Sequence, residues 1–286
     1  MKLSIAIADT NALPNTFVVY RGFKSCIPKA AKLGYEGVEL ALKRADEINP
    51  QQLQTLLAEH QMTVSCISTG QVYAADNLLF IHENEAKRNE VKHIFRELID
   101  LAGQFGQIVN IGRVRGHLNN HTISEAEDLF VDVAQDLCDY ALTREVTLVL
   151  EPVNRYEIDF INSVEEGVAL IKKVNRSNMK LMPDVFHMNI EDRTIGTELA
   201  RHIDFIQYIH FADSNRLAPG QGHLDFSDIF DCLFKAEYDG WISTEILPIP
   251  DPDTAARQAA EFLLPLIKMY NQRREDAGLV FKDAHF

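Results

Sequence analysis

The chain has 286 residues, of which 46% are hydrophobic and 24% charged, a balance typical of a globular protein whose core needs no disulfide or structural metal. Its formal net charge of −14 repels phosphate backbones and argues against nucleic acid as a partner. No segment approaches the ~18 apolar residues of a membrane span, and the first residues are too poor in apolar side chains for a signal peptide, so we expect no membrane partner.

The cysteines are too widely spaced to suggest a disulfide framework or a zinc site. None belongs to a C-x-x-C pair, and free, buried thiols are the expected state. Free thiols predict a reducing, cytoplasmic compartment. The four residues are Cys26, Cys66, Cys138 and Cys232.

Short apolar runs rich in β-branched residues alternate along the chain with longer segments of helical period. This alternation is typical of repeated βα units and a parallel sheet. Eight strands are predicted, at 3–8, 37–40, 63–68, 108–111, 147–151, 179–183, 205–211 and 240–246. Eight such units close more naturally into a barrel than into an open sheet. We therefore predict an α/β fold in which residues 1–286 form a single (β/α)₈ TIM-barrel domain.

An open, doubly wound sheet is the alternative fold. It would usually carry a glycine-rich phosphate turn after the first strand, and Asp9, Thr10 and Asn11 do not form one.

The predicted helices have apolar residues at i, i+3, i+4 and i+7, most clearly over 91–102 and 126–141. Ser124 with Glu127, and Ser163 with Glu166, each have the spacing of a capping box at a helix start. The chain ends in a long helical segment around 252–275, which contains Pro265. A proline inside a helix predicts a kink or a break there.

Four consecutive predicted strands end in side chains that can bind a metal: Glu151, Asp184, His210 and Glu245. The active site of such a barrel lies at the C-terminal ends of its strands, so these side chains should meet. Any one of them alone is more often a strand-end carboxylate or a satisfied histidine, but four in succession favour a metal site. Carboxylate oxygens with one imidazole suit a hard to borderline cation such as Mn²⁺, Co²⁺ or Mg²⁺.

The segments 151–157, 184–189, 210–216 and 219–226, together with Thr244 and Glu245, resemble those of the xylose isomerase-like barrels. Within that family they are most similar to ketose 3-epimerases of the D-tagatose/D-psicose type. The resemblance spans essentially the whole chain and is most specific in its second half.

This resemblance implies that Glu151, Asp184, His210 and Glu245 bind one divalent metal ion, expected to be Mn²⁺, with Co²⁺, Mg²⁺ or Zn²⁺ as alternatives. Glu151 and Glu245 would also be the acid/base pair. The residues expected to contact the substrate are Glu157, His187 and Arg216. The resemblance further implies a homodimer or homotetramer.

The implied function is isomerisation or epimerisation of a small sugar, a ketose or a ketose phosphate. A metal bound to the ketose carbonyl and its neighbouring hydroxyl acidifies the carbon-bound proton and stabilises the enediolate. Return of a proton to the opposite face of the same carbon inverts it. Return to the adjacent carbon gives an aldose–ketose isomerisation instead.

Arg113, Arg115 and His117 follow the fourth predicted strand. They could bind a phosphate or carboxylate of the substrate, or they could form a solvated loop. Simple-sugar epimerases of this family tend to carry an aromatic side chain near that strand end. Arg113 departs from this pattern, so we include it among the expected substrate contacts and leave the charge of the substrate open.

Three other functions are considered. A metal-dependent lyase resembling 3-dehydroshikimate dehydratase would use the same proton abstraction. An apurinic-site endonuclease shares the barrel but would use three zinc ions and additional histidines, which the ends of strands two, three and four lack. A non-catalytic sugar-binding barrel would have no reason to keep both Glu151 and Glu245 as proton-transfer groups.

Overall fold

The computed structural model describes residues 1–14 and 16–279. The strands are β1 Lys2–Ala8, β2 Tyr20–Arg21, β3 Gly37–Ala41, β4 Thr63–Ser68, β5 Ile108–Ile111, β6 Thr147–Leu150, β7 Met179–Leu181, β8 Tyr208–Phe211 and β9 Trp241–Thr244. The α-helices are α1 Phe23–Lys32, α2 Pro50–His60, α3 Gly70–Asp76, α4 Glu85–Ala102, α5 Ile123–Leu142, α6 Val164–Val174, α7 Val185–Glu191, α8 Ile195–Arg201, α9 Phe226–Lys235 and α10 Pro252–Asp276.

The strands form one parallel sheet in the order β7-β6-β5-β4-β3-β1-β9-β8, and the two-residue strand β2 pairs with β1 beside this path. Eight strands therefore form a nearly closed barrel, and the helices lie on its outside. This confirms the predicted (β/α)₈ barrel. The strand pattern of continuous apolar residues follows from it, because the strands of such a sheet are buried on both faces.

The two ends of the sheet order, β7 and β8, meet at what we call the seam. Among the described residues they are joined by two isolated bridges, Leu181 with Ile206 and Asp184 with His210, instead of a ladder. The backbone N–H of His210 donates to the carbonyl of Pro183 at 2.9 Å on the side nearer the barrel mouth. The seam thus lies between two of the predicted metal ligands.

The predicted strand 205–211 is too long at its start. Residues Ile203–Phe205 form a turn of 3₁₀ helix, and β8 begins only at Tyr208. Apolar residues in a short 3₁₀ turn are not distinguishable by periodicity from the start of a buried strand. The sequence pattern also missed β2, which has only two residues.

One of the two predicted capping boxes is misplaced. The box of α5 is formed by Thr122 and Glu125, whose side chains bond each other's backbone N–H groups, and not by Ser124 and Glu127. Both pairs have the same spacing, so spacing alone could not choose between them. The second predicted box, Ser163 with Glu166, is present at the start of α6.

Of the predicted kink or break at Pro265, the break is wrong, because α10 continues from Pro252 to Asp276, and the kink stays a prediction. Its buried residues include Ala256, Leu263 and Tyr270, which pack against the barrel core. Within the described parts of the chain, neither this helix nor a shorter one combines the length and the apolarity needed to cross a membrane.

Candidate active site

The four side chains predicted as metal ligands meet at the C-terminal mouth of the barrel. Glu151 directly follows β6, His210 lies in β8, Glu245 directly follows β9, and Asp184 caps the N-terminus of α7. One carboxylate oxygen of each acid and one nitrogen of the histidine all lie within 4.8 Å of one another. We call these four residues the mouth cluster.

Two atoms of the mouth cluster, Asp184 Oδ2 and His210 Nδ1, are buried and have no hydrogen-bond partner among the described residues. Asp184 Oδ1 accepts a hydrogen bond from the backbone N–H of Phe186 at 2.8 Å, which leaves Oδ2 for another partner. His210 Nδ1 lies 3.3 Å from Glu151 Oε1 and 3.7 Å from Glu245 Oε2. Buried polar atoms rarely remain unpaired, and this donor set suits a hard to borderline divalent cation. The residues present therefore fit a metal ion.

Burial and mutual charges set the protonation of the mouth cluster. Burial raises the pKa of Glu245 to about 8 and that of Asp184 to about 6, against the nearby positive charges. Burial works against a charged Glu151, but the charge of His210 outweighs it and lowers the pKa of Glu151 to about 2. Burial works against a charged His210, but the carboxylates of Glu39 and Glu245 outweigh it and hold the pKa of His210 well above its usual value. A cation that binds here must displace protons.

His187, on α7, lies beside the mouth cluster. The side-chain amide of Asn154 donates to His187 Nδ1 at 2.7 Å, and Asn154 Oδ1 in turn accepts from the backbone N–H of Tyr156. His187 Nε2 lies 3.9 Å from Glu151 Oε1 and 3.3 Å from Arg216 Nη1. Burial, followed by the charge of Arg216, holds the pKa of His187 well below its usual value, so the ring is neutral.

Arg216 is buried and reaches the mouth cluster from the loop after β8. Its guanidinium group lies between the rings of Phe17 and Phe186, at 4.4 and 4.8 Å from their centroids. It donates a hydrogen bond to Glu245 Oε2, and its Nη2 atom lies 3.7 Å from Asp184 Oδ2. The two rings hold the guanidinium in place, so its orientation does not depend on the carboxylates alone.

The arginines after β5 have different environments. Arg115 is fully buried, and within the described part of the chain it donates hydrogen bonds only to backbone carbonyls, so it is neither a substrate contact nor part of a solvated loop. The four carbonyl acceptors are those of Gly112, Glu151, Phe160 and Ile161.

A cavity opens at the barrel mouth beside the mouth cluster, and we call it the mouth cavity. Arg113 lines it, whereas Arg115 and His117 are not among the described residues that do. Its guanidinium lies over Phe17 at 5.7 Å, and its Nη1 atom lies 3.8 Å from Glu157 Oε2. That separation is too long for a hydrogen bond but still brings the two opposite charges together. Glu157 and Arg113 thus form one wall of the cavity.

Three side chains beside the predicted site were missed from the sequence. Glu39, in β3, is fully buried and contacts His210, and Asn110, in β5, donates to Glu151 Oε2 at 3.2 Å. Phe17 packs on Arg216 from the loop between β1 and β2. A charged residue within the apolar run at 37–40 was a usable signal for Glu39, because such a residue needs a buried partner. No comparable signal marks Phe17.

A family model described as a xylose isomerase-like TIM barrel matches residues 27–266. The L-ribulose 3-epimerase of Methylomonas sp. (strain DH-1) is 30% identical over 227 residues, which cover 78% of this chain and 78% of that protein. The D-psicose 3-epimerase of Agrobacterium fabrum is 27% identical over 232 residues, with the same coverage of both chains.

Among solved structures, the D-allulose 3-epimerase from Methylomonas sp. in complex with D-allulose is similar, with a TM-score of 0.77 and 25% identity. The matched region covers 93% of this chain and 98% of that one. The similarity in structure therefore extends over the whole barrel.

Proposed function

The chain belongs to the xylose isomerase-like TIM barrel family, and from this membership we propose that it is a metal-dependent isomerase that epimerises a ketose or a ketose phosphate. The observation that carries the proposal is the mouth cluster itself: two glutamates, an aspartate and a histidine converge where a barrel enzyme binds its substrate. The similar proteins are 3-epimerases of L-ribulose and D-psicose, which supports a small ketose as the substrate class.

In this proposal Glu151, Asp184, His210 and Glu245 hold one divalent cation, with Mn²⁺ as the expected ion. The unpaired Asp184 Oδ2 and His210 Nδ1 support it. When bound, the cation would polarise the carbonyl oxygen and the neighbouring hydroxyl oxygen of a ketose. It would thereby lower the pKa of the C–H on the hydroxyl-bearing carbon next to the carbonyl. A homodimer or homotetramer stays a prediction.

Glu151 and Glu245 are the proposed proton-transfer pair. They follow β6 and β9, which lie three strands apart around the barrel when the seam is counted as one step. The two carboxylates therefore approach the centre of the mouth from different directions. One can remove a proton from one face of a planar intermediate while the other returns a proton to the opposite face. Epimerisation at one carbon needs such a pair, whereas an isomerase or dehydratase can work with one base.

His187, Glu157 and Arg216 are the proposed contacts to the hydroxyl and carbonyl oxygens of the substrate. The Arg216 guanidinium is a donor on the cavity wall, the carboxylate of Glu157 is an acceptor, and the imidazole of His187 offers a ring nitrogen. Arg113 is the proposed contact for the end of the substrate farther from the mouth cluster. Its guanidinium suits a phosphate or carboxylate as well as sugar hydroxyls.

Two alternatives are weaker. An endonuclease with three zinc ions would need several histidine ligands, and the one candidate metal cluster in residues 1–14 and 16–279 contains a single histidine. The net charge of −14 also opposes a phosphate backbone. A metal-dependent lyase would share the proton abstraction, so only the reaction products separate it from an epimerase.

The proposal is tested by incubating the Mn²⁺-loaded protein in D₂O with a panel of ketoses and their phosphates. We expect deuterium at one carbon next to the carbonyl, with inversion of that same carbon, as measured by NMR. Deuterium in an aldose product would indicate an isomerase, and loss of water would indicate a lyase. Absence of exchange with every ketose and ketose phosphate would contradict the proposal. The same panel run with Arg113→Leu shows whether turnover of phosphates falls more than turnover of free sugars.

The Arg216→Ala variant is expected to raise KM or lower kcat about 10- to 100-fold while the bound metal content stays near that of the unaltered protein. The buried guanidinium donates a hydrogen bond to Glu245. In this proposal its loss would also remove a charge-assisted hydrogen bond to the substrate. Metal content is measured by elemental analysis beside kinetics. Loss of the metal from this variant would show that Arg216 supports the metal site instead.

A further inference from the structure

A chain of hydrogen-bonded polar side chains crosses the barrel interior and ends at the mouth cluster. Glu39 is fully buried, and its two oxygens lie 3.1 and 3.0 Å from His210 Nε2. The hydroxyl of Tyr208 donates to Glu39 Oε2 at 3.2 Å. Tyr208 Oη lies 2.7 Å from Ser65 Oγ, which lies 2.5 Å from Ser4 Oγ. We call Ser4, Ser65, Tyr208 and Glu39 the interior chain.

The direction of the hydrogen bonds along the interior chain follows from what each group can donate. A carboxylate only accepts, so the single hydroxyl proton of Tyr208 points to Glu39. Ser65 must then donate to Tyr208, and Ser4 to Ser65. All these donors are directed toward Glu39, whose remaining capacity to accept hydrogen bonds faces His210.

Apolar packing does not explain why the carboxylate of Glu39 is buried in the barrel interior. Besides the hydroxyl groups of the interior chain, the barrel interior contains apolar side chains, among them Cys66, Val149 and Met182. A buried carboxylate is costly unless it is hydrogen-bonded, and a well-packed apolar residue would often serve stability as well. The contacts of Glu39 therefore point to a role at His210 instead of a role in the core.

We propose that Glu39 is a positioning residue for the metal site: it accepts the Nε2–H of His210 and so fixes the tautomer and ring orientation in which Nδ1 faces the mouth cluster. This inference rests on the proposed function, because it assumes that the mouth cluster binds a cation. An imidazole without this acceptor can carry its proton on either nitrogen and can turn about its Cβ–Cγ bond. Both freedoms reduce the fraction of the protein whose Nδ1 is ready to bind.

The first test compares the Mn²⁺ dissociation constant of the unaltered full chain with that of Glu39→Gln, measured by calorimetry with Mn²⁺ alone. Glutamine keeps the shape of glutamate but removes the charge and can present an amide N–H to the histidine. We expect the dissociation constant to rise about 10- to 100-fold, with unchanged circular dichroism. Ser4→Ala is the matched control, since it removes a hydroxyl of the same interior chain that contacts neither Glu39 nor His210, and we expect it to change the constant less than about twofold.

The second test does not depend on whether Glu39→Gln folds. The unaltered protein is labelled with ¹⁵N-histidine and loaded with Zn²⁺, and the His210 signals are assigned by their loss in His210→Asn. We expect a protonated Nε2 and a Zn²⁺-bound Nδ1.

A proton on Nδ1 of His210, or an Mn²⁺ dissociation constant in a folded Glu39→Gln variant within about twofold of the unaltered value, would overturn the role of Glu39 alone. Failure of the unaltered protein to bind either Mn²⁺ or Zn²⁺ would overturn the metal site and this inference with it. The two failures are therefore distinguishable.

Discussion

Glu151→Gln and Glu245→Gln are each expected to lower kcat for the ketose substrate by about 10²- to 10⁴-fold, the range that a positioned proton-transfer group contributes. Glutamine keeps an oxygen of similar position for a cation but cannot accept a proton. The measurement is the rate of product formation, with the metal content of each variant determined in parallel. Glu165→Gln, at an exposed residue in the first turn of α6, is the matched control and should leave kcat unchanged.

The two variants are also expected to differ from each other in D₂O. If each glutamate serves one face of the intermediate, the remaining carboxylate still exchanges the proton on its own side. One variant should then incorporate deuterium into one epimer without converting it to the other. Substantial turnover by either variant with its metal retained would exclude the two-base mechanism and favour a one-base isomerase or a lyase.

Removal of the cation by a chelator is expected to lower turnover to below about 1% and to lower the unfolding temperature. Because a cation that binds only the folded protein stabilises it by about 2.7 kcal/mol at 100 times Kd, re-addition of Mn²⁺ should raise the midpoint by about 5–10 °C. The measurement is thermal unfolding with and without Mn²⁺, with chelator already saturated with Mn²⁺ as the control. An unaffected midpoint together with full activity in the chelator would contradict metal dependence.

The rise in unfolding temperature on adding Mn²⁺ should depend on pH, because the cation must displace protons when it binds. Burial raises the pKa of Glu245 to about 8, and the surrounding carboxylates, working against burial, hold the pKa of His210 well above its usual value. Below these values protons compete with Mn²⁺, so the stabilisation by Mn²⁺ should grow as the pH rises from 6 to 8.

The sequence was sufficient to predict the barrel because the buried parallel strands are mostly apolar runs between helices of clear period. Its errors lie where two local structures share one pattern. The apolar residues of the 3₁₀ turn at Ile203–Phe205 look like the start of β8, and Thr122 and Ser124 both begin a segment with the spacing of a capping box. Only tertiary packing decides such cases.

The candidate site was predictable to the extent that strand ends carry it. Glu151 and Glu245 are adjacent in sequence to the strands that position them, so their convergence followed from the barrel alone. Phe17 and the acceptors of Arg115 belong to loops, whose paths across the mouth no periodicity specifies. The sequence therefore predicts the centre of the site better than its walls, which determine the substrate.

The seam gives the proposed cation a second consequence. Asp184 belongs to the side of β7 and His210 to β8, and a single bridge joins the two residues where the other strands of the sheet form ladders with their neighbours. An ion bound by both residues would link the two ends of the sheet. Binding of the ion would then close the barrel and assemble the catalytic centre at the same time.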